Sequence, residues 1–170
     1  MLREFFDDSG APLTGLPGRI VEPGHQFEWA WLLSRWSEMH GDPVARVAAH
    51  RLFEIGERYG IDPMRGVAMD VLLADMSPHS RQARLWPQTE RLKAALALMR
   101  HTSDKAQKNA LEASALAAAE GLSHYLHTSV PGLWRDKMRP DGTFVDEPSP
   151  ASSLYHIACA IDVLRKHMSR

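Results

Sequence analysis

From His25 to about Met39 the chain runs His25-Gln26-Phe27-Glu28-Trp29-Ala30-Trp31-Leu32-Leu33-Ser34-Arg35-Trp36 and onward without glycine or proline. Its apolar residues wrap most of a helix's circumference, and a helix apolar on nearly all sides is expected to be buried on nearly all sides. This segment therefore predicts a helix that other elements must surround. Ahead of it, Gly10, Pro12, Gly15, Pro17, Gly18, Pro23 and Gly24 make 7–24 an irregular loop, with a short strand at Arg19-Ile20-Val21.

Four more helices follow. Gly41-Asp42-Pro43 supplies a stop, an N-cap and a proline at the first helical position, after which Val47, Arg51, Leu52, Ile55 and Tyr59 keep helical spacing to about Gly60. Pro87 opens a third helix whose apolar face is Leu92, Ala95, Leu96 and Met99, ending near Thr102. An alanine-rich fourth helix is expected from about Asp104 to His127, its small side chains allowing close packing. The last begins near Ser152, with Leu154, Ile157, Ile161 and Leu164 as its apolar stripe and His156 projecting away from it. Between the second and third helices, Val67, Met69, Val71 and Leu73 alternate and Ser77-Pro78-His79-Ser80 reads as a turn, which predicts a short β-hairpin within 65–86. The stretch 130–149 is expected to be a long ordered loop. The fold class is thus all-α, built of antiparallel helical hairpins, with 1–170 read as a single region.

Composition narrows the function classes. The 170 residues are 44% hydrophobic, enough for a real core, and 20 Lys plus Arg against 21 Asp plus Glu leave no basic field for phosphate backbones or anionic lipid. Nucleic acid and membrane are not expected as partners. Met1 to Asp8 is acidic where a secretory signal needs an apolar run, and lone Cys159 fits a reducing compartment, so the expected location is cytoplasmic. The chain has no P-loop, GxGxxG, GxSxG or HExxH pattern, and no metal or cofactor is assigned.

Three segments hold candidate chemistry. In Glu22-Pro23-Gly24-His25-Gln26-Phe27-Glu28, His25 opens a helix and Glu28 lies one turn on, where a carboxylate can orient an imidazole that titrates near neutrality. The same pair also fits a buried helix end in which Glu28 satisfies His25. At Ala151-Ser152-Ser153-Leu154-Tyr155-His156, Ser152 or Ser153 can cap the helix and His156 faces off the apolar stripe, as a functional or an ordinary inter-helix histidine would. Arg84-Leu85-Trp86-Pro87-Gln88-Thr89-Glu90 offers an aromatic plane with polar groups behind it, or simply a capped helix start.

Taken together, Glu22 to Leu33, Leu85 to Glu90, and Gly132-Leu133-Trp134-Arg135-Asp136 leading to Pro150 through Ile157 resemble the N-acylglucosamine 2-epimerase family, most of all its mannose isomerase branch. The likeness runs in family order over nearly the whole chain. It implies about half of an (α/α)6 barrel whose inner helices surround a pocket for a free monosaccharide, with no cofactor and no metal. By the same resemblance, His25 and His156 match acid/base histidines and Glu28 the carboxylate beside the first. Trp86 and Glu90 match pocket positions, and Trp134, Asp136 and Tyr155 further contributors. The implied activity is aldose-ketose isomerisation of mannose/fructose type through an enediolate. The alternatives are a sugar 2-epimerase and a non-catalytic truncated sugar-binding or assembly module. The family's catalytic domain is longer, so the chain is expected to be its carboxyl-terminal portion. Half a barrel would expose apolar surface, which implies a homo-oligomer or a separate amino-terminal half as partner.

Overall fold

The computed structural model describes residues 1–169. Local signals set the helix ends. Helix α1 (Pro23–His40) starts at a proline behind extended Glu22 and stops where left-handed Gly41, at φ +67°, donates its N–H to the Ser37 carbonyl. Helix α2 (Pro43–Gly60) is capped by the Asp42 carboxylate, which accepts from the Val44 and Ala45 amides at 2.9 and 3.1 Å. Helix α3 spans Leu85–Met99, and α4 spans Lys105–Leu126 behind the Asp104 cap. Helix α5 is Ser153–Met168. Ser152 makes no capping bond, so the expected serine cap is absent, and the Ser153 hydroxyl instead donates to Asp136 at 3.0 Å.

Helices α1, α3 and α5 lie side by side with α3 in the middle, while α2 backs α1 and α4 backs α3. Every residue of α3 except Trp86 is buried. The buried helix is therefore α3, and this corrects the expectation for α1, which leaves Trp29, Leu32, Trp36 and Met39 exposed. The reason is position: α1 has an inner-layer neighbour on one flank only. The same holds for α5, where Ile157 and Ala160 are buried but Leu154 and Ile161 of the predicted stripe are exposed.

The short strands pin loops to helix starts. β1 (Ile20–Val21), β2 (Val71–Leu73) and β3 (Pro78–Ser80) form an antiparallel sheet in that order, so the hairpin within 65–86 is present with one strand added. Its turn lies earlier than predicted. The Asp75 carboxylate accepts from the Ser77 amide and hydroxyl, and Met76 takes the left-handed region at φ +68°, which leaves Pro78–Ser80 extended. β4 (Ala83–Arg84) pairs with β5 (Lys137–Met138) and fastens the 130–149 loop to the start of α3. Among the described residues no helix is long and apolar enough to cross a membrane.

Close approach of α1 and α2 depends on Gly56, where an added Cβ would meet the fully buried Phe27 ring at 2.5 Å. Gly56→Ala should destabilise the protein by about 1–3 kcal/mol from overpacking, despite a helix-propensity gain of about 1 kcal/mol. Urea unfolding measures this, and a second substitution, Phe27→Leu, should recover part of the loss.

Candidate active site

The amino-terminal turns of α1, α3 and α5 meet, so the three inner helices run in the same direction. His25 comes from α1, Trp86 from α3 and His156 from α5. The His25 and Trp86 ring centroids are 5.1 Å apart, and those of Trp86 and His156 5.6 Å apart. The imidazoles flank one indole and are separated by no more than the sum of those spacings. Gly24 makes this possible, because a Cβ there would lie 2.4 Å from the Trp86 ring.

Each imidazole is tied to a carboxylate through Nδ1. For His25 the partner is Glu4 Oε2 at 2.7 Å, with Glu22 Oε2 at 3.7 Å. Glu4 reaches the site because the first residues are bound to α1: the fully buried Gln26 side chain donates to the Leu2 carbonyl at 2.7 Å and accepts from the Leu2 amide at 2.8 Å. The Glu4 amide also donates to the Ile20 carbonyl at 3.1 Å. The Glu4 bond holds the His25 pKa above the usual imidazole value, burial opposes it, and Glu22 and Glu28 charges add to it. Glu28, the partner proposed from spacing, hydrogen-bonds to neither His25 nor Tyr155. Its charge is a minor contribution at both, behind the Glu4 bond at His25 and behind burial at Tyr155. Among the described residues, Glu4, Glu22 and His25 also present ligand atoms within 4.8 Å of one another, a grouping that could meet a cation. Glu22 is already held there by Arg84 at 3.2 Å, and Arg84 binds Asp70 at 2.8 Å with its guanidinium 5.5 Å from the Trp86 ring centroid.

His156 Nδ1 lies 2.7 Å from Glu90 Oε1. The other Glu90 oxygen lies 2.8 Å from Lys93 Nζ, and both side chains are fully buried. The ammonium forms no aligned hydrogen bond, so it acts on Glu90 through charge. It sits 4.1 Å from the Trp31 ring centroid and 5.9 Å from that of Tyr155, whose ring meets His156 edge-on at 4.7 Å.

Of the sequence candidates, His25, Trp86, Glu90, Tyr155 and His156 converge, with Glu28 acting across the space between His25 and Tyr155. Asp136 serves the frame: its side chain accepts from Ser153, and its carbonyl accepts from the Leu85 amide at 2.9 Å, joining the starts of α5 and α3. Trp134 packs against the core, and its carbonyl accepts from the Ser149 hydroxyl at 2.6 Å. Neither hydrogen-bonds to an imidazole. Sequence reading missed Glu4, Arg84 and Lys93. Glu4 carried no local signal, whereas Lys93 at i+3 from Glu90 is a helical ion-pair spacing that could have been noticed.

The profile of the N-acylglucosamine 2-epimerase (GlcNAc 2-epimerase) family matches residues 1–160. A curated protein from Rhizobium meliloti (strain 1021), named mannose-6-phosphate isomerase, is 53% identical over 169 residues, which is 99% of this chain and 43% of that protein. Among solved structures, a D-mannose isomerase superposes with a TM-score of 0.76 at 21% identity, covering 86% of this chain and 37% of that one. The cellobiose 2-epimerase from Spirochaeta thermophila DSM 6192 gives 0.77 at 15% identity, covering 89% and 40%. The chain therefore spans less than half the length of these relatives, and its architecture is that of about half an (α/α)6 barrel.

The Glu4 contact is open to a pH test. A raised His25 midpoint means that Glu4 stabilises the fold through the protonated ring. This contribution is complete below the ordinary imidazole value of about 6.5 and is lost as pH rises through the folded midpoint. The Tm deficit of Glu4→Gln should be larger near pH 5.5 than near pH 8.5, and equal deficits would remove the charge contribution.

Proposed function

The chain belongs to the N-acylglucosamine 2-epimerase family, and on that premise we propose that His25 and His156 exchange protons with a free hexose, interconverting an aldose and a ketose of the mannose/fructose type. The observation that carries the reading is the pair of imidazoles on either side of Trp86, each with Nδ1 held by a carboxylate and Nε2 left for substrate. His156 acts as the base. It takes the proton from C2 of the open-chain aldose, the C–H electrons become the C1–C2 double bond, and the carbonyl oxygen carries the charge of an enediolate. His25, surrounded by carboxylates and protonated more readily than a free imidazole, protonates that oxygen. Return of a proton to C1, with loss of the O2 proton, completes the ketose. Trp86 supplies the flat wall on which the sugar's apolar face rests. A positioned acid or base contributes about 10²–10⁴-fold. The near cations are committed, Arg84 to Glu22 and Asp70 and Lys93 to Glu90, which favours an unphosphorylated sugar. Return of the proton to the opposite face of C2 would make the same site a 2-epimerase. Product identity separates the two.

Exposed apolar residues on both flanks of the inner layer, Trp29 and Trp36 on α1 and Leu154 and Ile161 on α5, favour completion of the site by further helices. These come from a second copy or a separate amino-terminal half, in a reducing compartment such as the cytoplasm. Sedimentation of the 170-residue chain across dilution should show association, and the double substitution Trp36→Glu/Ile161→Glu should abolish it. A monomer at all concentrations would overturn the second-copy form of this reading.

In D₂O, the assembled protein should wash deuterium into C1 or C2 of mannose or fructose. His25→Asn or His156→Asn should each slow this by about 10²–10⁴-fold, while His79→Asn, on the exposed strand β3, should leave it intact. No exchange in a complete, folded barrel, with sugar bound as read by tryptophan fluorescence, would favour the non-catalytic binding module instead.

A further inference from the structure

We propose that Lys93 is a positioning residue for His156: its charge offsets that of Glu90, so that the imidazole stays neutral, with Nδ1 as donor and Nε2 as a bare proton acceptor. The catalytic consequence rests on the isomerase reading above. The charge relation itself rests on the side chains alone.

A lysine with no exposed surface is costly, and replacing a buried ion pair by apolar side chains is often neutral or stabilising. Lys93 lies among Trp31 and Tyr155 rings, surroundings that an apolar residue would fill without desolvating an ammonium. Packing alone therefore does not explain it. Electrostatics at the next residue does. A buried carboxylate alone against an imidazole favours the imidazolium, which has no lone pair to take a proton from carbon. With Lys93 Nζ 2.8 Å from one Glu90 oxygen and His156 Nδ1 2.7 Å from the other, the carboxylate is balanced and still orients the ring.

The contrast with His25 supports this. That ring faces Glu4 and Glu22, with Glu28 acting through space, and the cation nearest them, Arg84, is shared between Glu22 and Asp70. One imidazole sits among excess carboxylate and the other beside a neutral pair, the division that an acid and a base require. The groups facing His156 are Glu90 from α3, with Lys93 on the far side of that carboxylate, and Tyr155 on its own helix, which is itself acted on by Cys159 and by Glu28 from α1. His25 lies beyond Trp86.

The test reads the ring directly. In the full chain, the His156 imidazole nitrogens are followed by ¹⁵N NMR against pH, with assignment from His156→Asn. Lys93→Met should raise the midpoint by about one unit or more, and Lys93→Arg, which keeps the charge, should restore it. Should Lys93→Met alone not fold, the same change in a Glu90→Gln background removes both charges together, and it should raise the midpoint relative to Glu90→Gln. A midpoint that Lys93→Met does not move in either background overturns the proposal. The acidic limb of deuterium wash-in should move upward with the ring, and a limb that stays in place while the ring moves would overturn the catalytic role. Ring shifts in a protein whose parent shows no exchange at any pH would instead refute the isomerase reading and leave the charge relation standing.

Discussion

A helix with no exposed flank that nonetheless carries Gln88, Glu90, Arg91 and Lys93 can exist only if each polar group finds a partner inside the protein. Helix α3 meets this demand in three directions, and its partners are what hold the neighbouring elements in place. Gln88 bonds to both backbone groups of Ala68, at 2.8 and 3.0 Å, which fixes the segment leading into the sheet. Arg91 grips both carboxylate oxygens of Glu57 at 2.6 and 3.0 Å and the Gly66 carbonyl at 2.9 Å, locking α2 across the layer. Glu90 has Lys93 on one side and His156 on the other, which sets the depth at which α5 docks. The cost of desolvating these groups turns α3 from a filler into the element that determines where the others go.

Parallel inner helices concentrate a second effect at the same end. Their amino-terminal turns meet where the two histidines stand, and each helix brings partial positive charge, equivalent to roughly half an elementary charge, to that point. Such an environment suits the negative charge that the proposed enediolate would place on oxygen. At His25 it opposes protonation, which gives physical meaning to the carboxylates gathered around that ring. Glu4 reaches His25 only because the amino-terminal segment is tied to α1 through Gln26 and to β1 through Ile20. A segment that looks like loose chain therefore supplies the carboxylate that holds His25.

These relations explain which features were legible in the sequence. Caps and breakers act within a few residues, so Asp42, Pro43, Gly41 and Asp104 placed helix ends within a residue or two. The family-level resemblance at His25, Trp86 and His156 placed three rings that the structure brings together. Hydrophobic patterning failed at the layer scale. Helix α3 reads as amphipathic because its polar residues are satisfied by α2, α5 and the 66–68 segment, none of which a local window contains. Helix α1 reads as buried all round, but burial depends on neighbours on both flanks, and it has one. The Glu4 contact with His25 was out of reach for the same reason, since nothing near either residue announces the other. Glu28 was favoured because i, i+3 spacing is visible and a contact across 21 residues is not.

Exposure across the inner layer is itself informative about how the site works. α3 has inner neighbours on both flanks and exposes no large apolar residue, whereas α1 and α5 have one each and expose Trp36 and Ile161, 51% and 55% accessible, on helices of otherwise similar make-up. The free flanks thus carry the kind of side chain that α3 buries on both of its own, as expected of a layer that continues into a ring rather than one that ends in water. The imidazoles are only partly covered, with the His25 side chain 35% and the His156 side chain 19% accessible. Helices that covered the apolar flanks would also reduce the exposure of both rings to water. Under the proposed isomerisation, proton transfer from carbon would depend on keeping water out, because water at a developing enediolate would compete with the fixed donors and weaken every charge interaction that distinguishes His25 from His156. On that proposal, closing the ring and separating the acid from the base become one physical problem, and the ion pair buried behind His156 is the part of its solution that this half carries within itself.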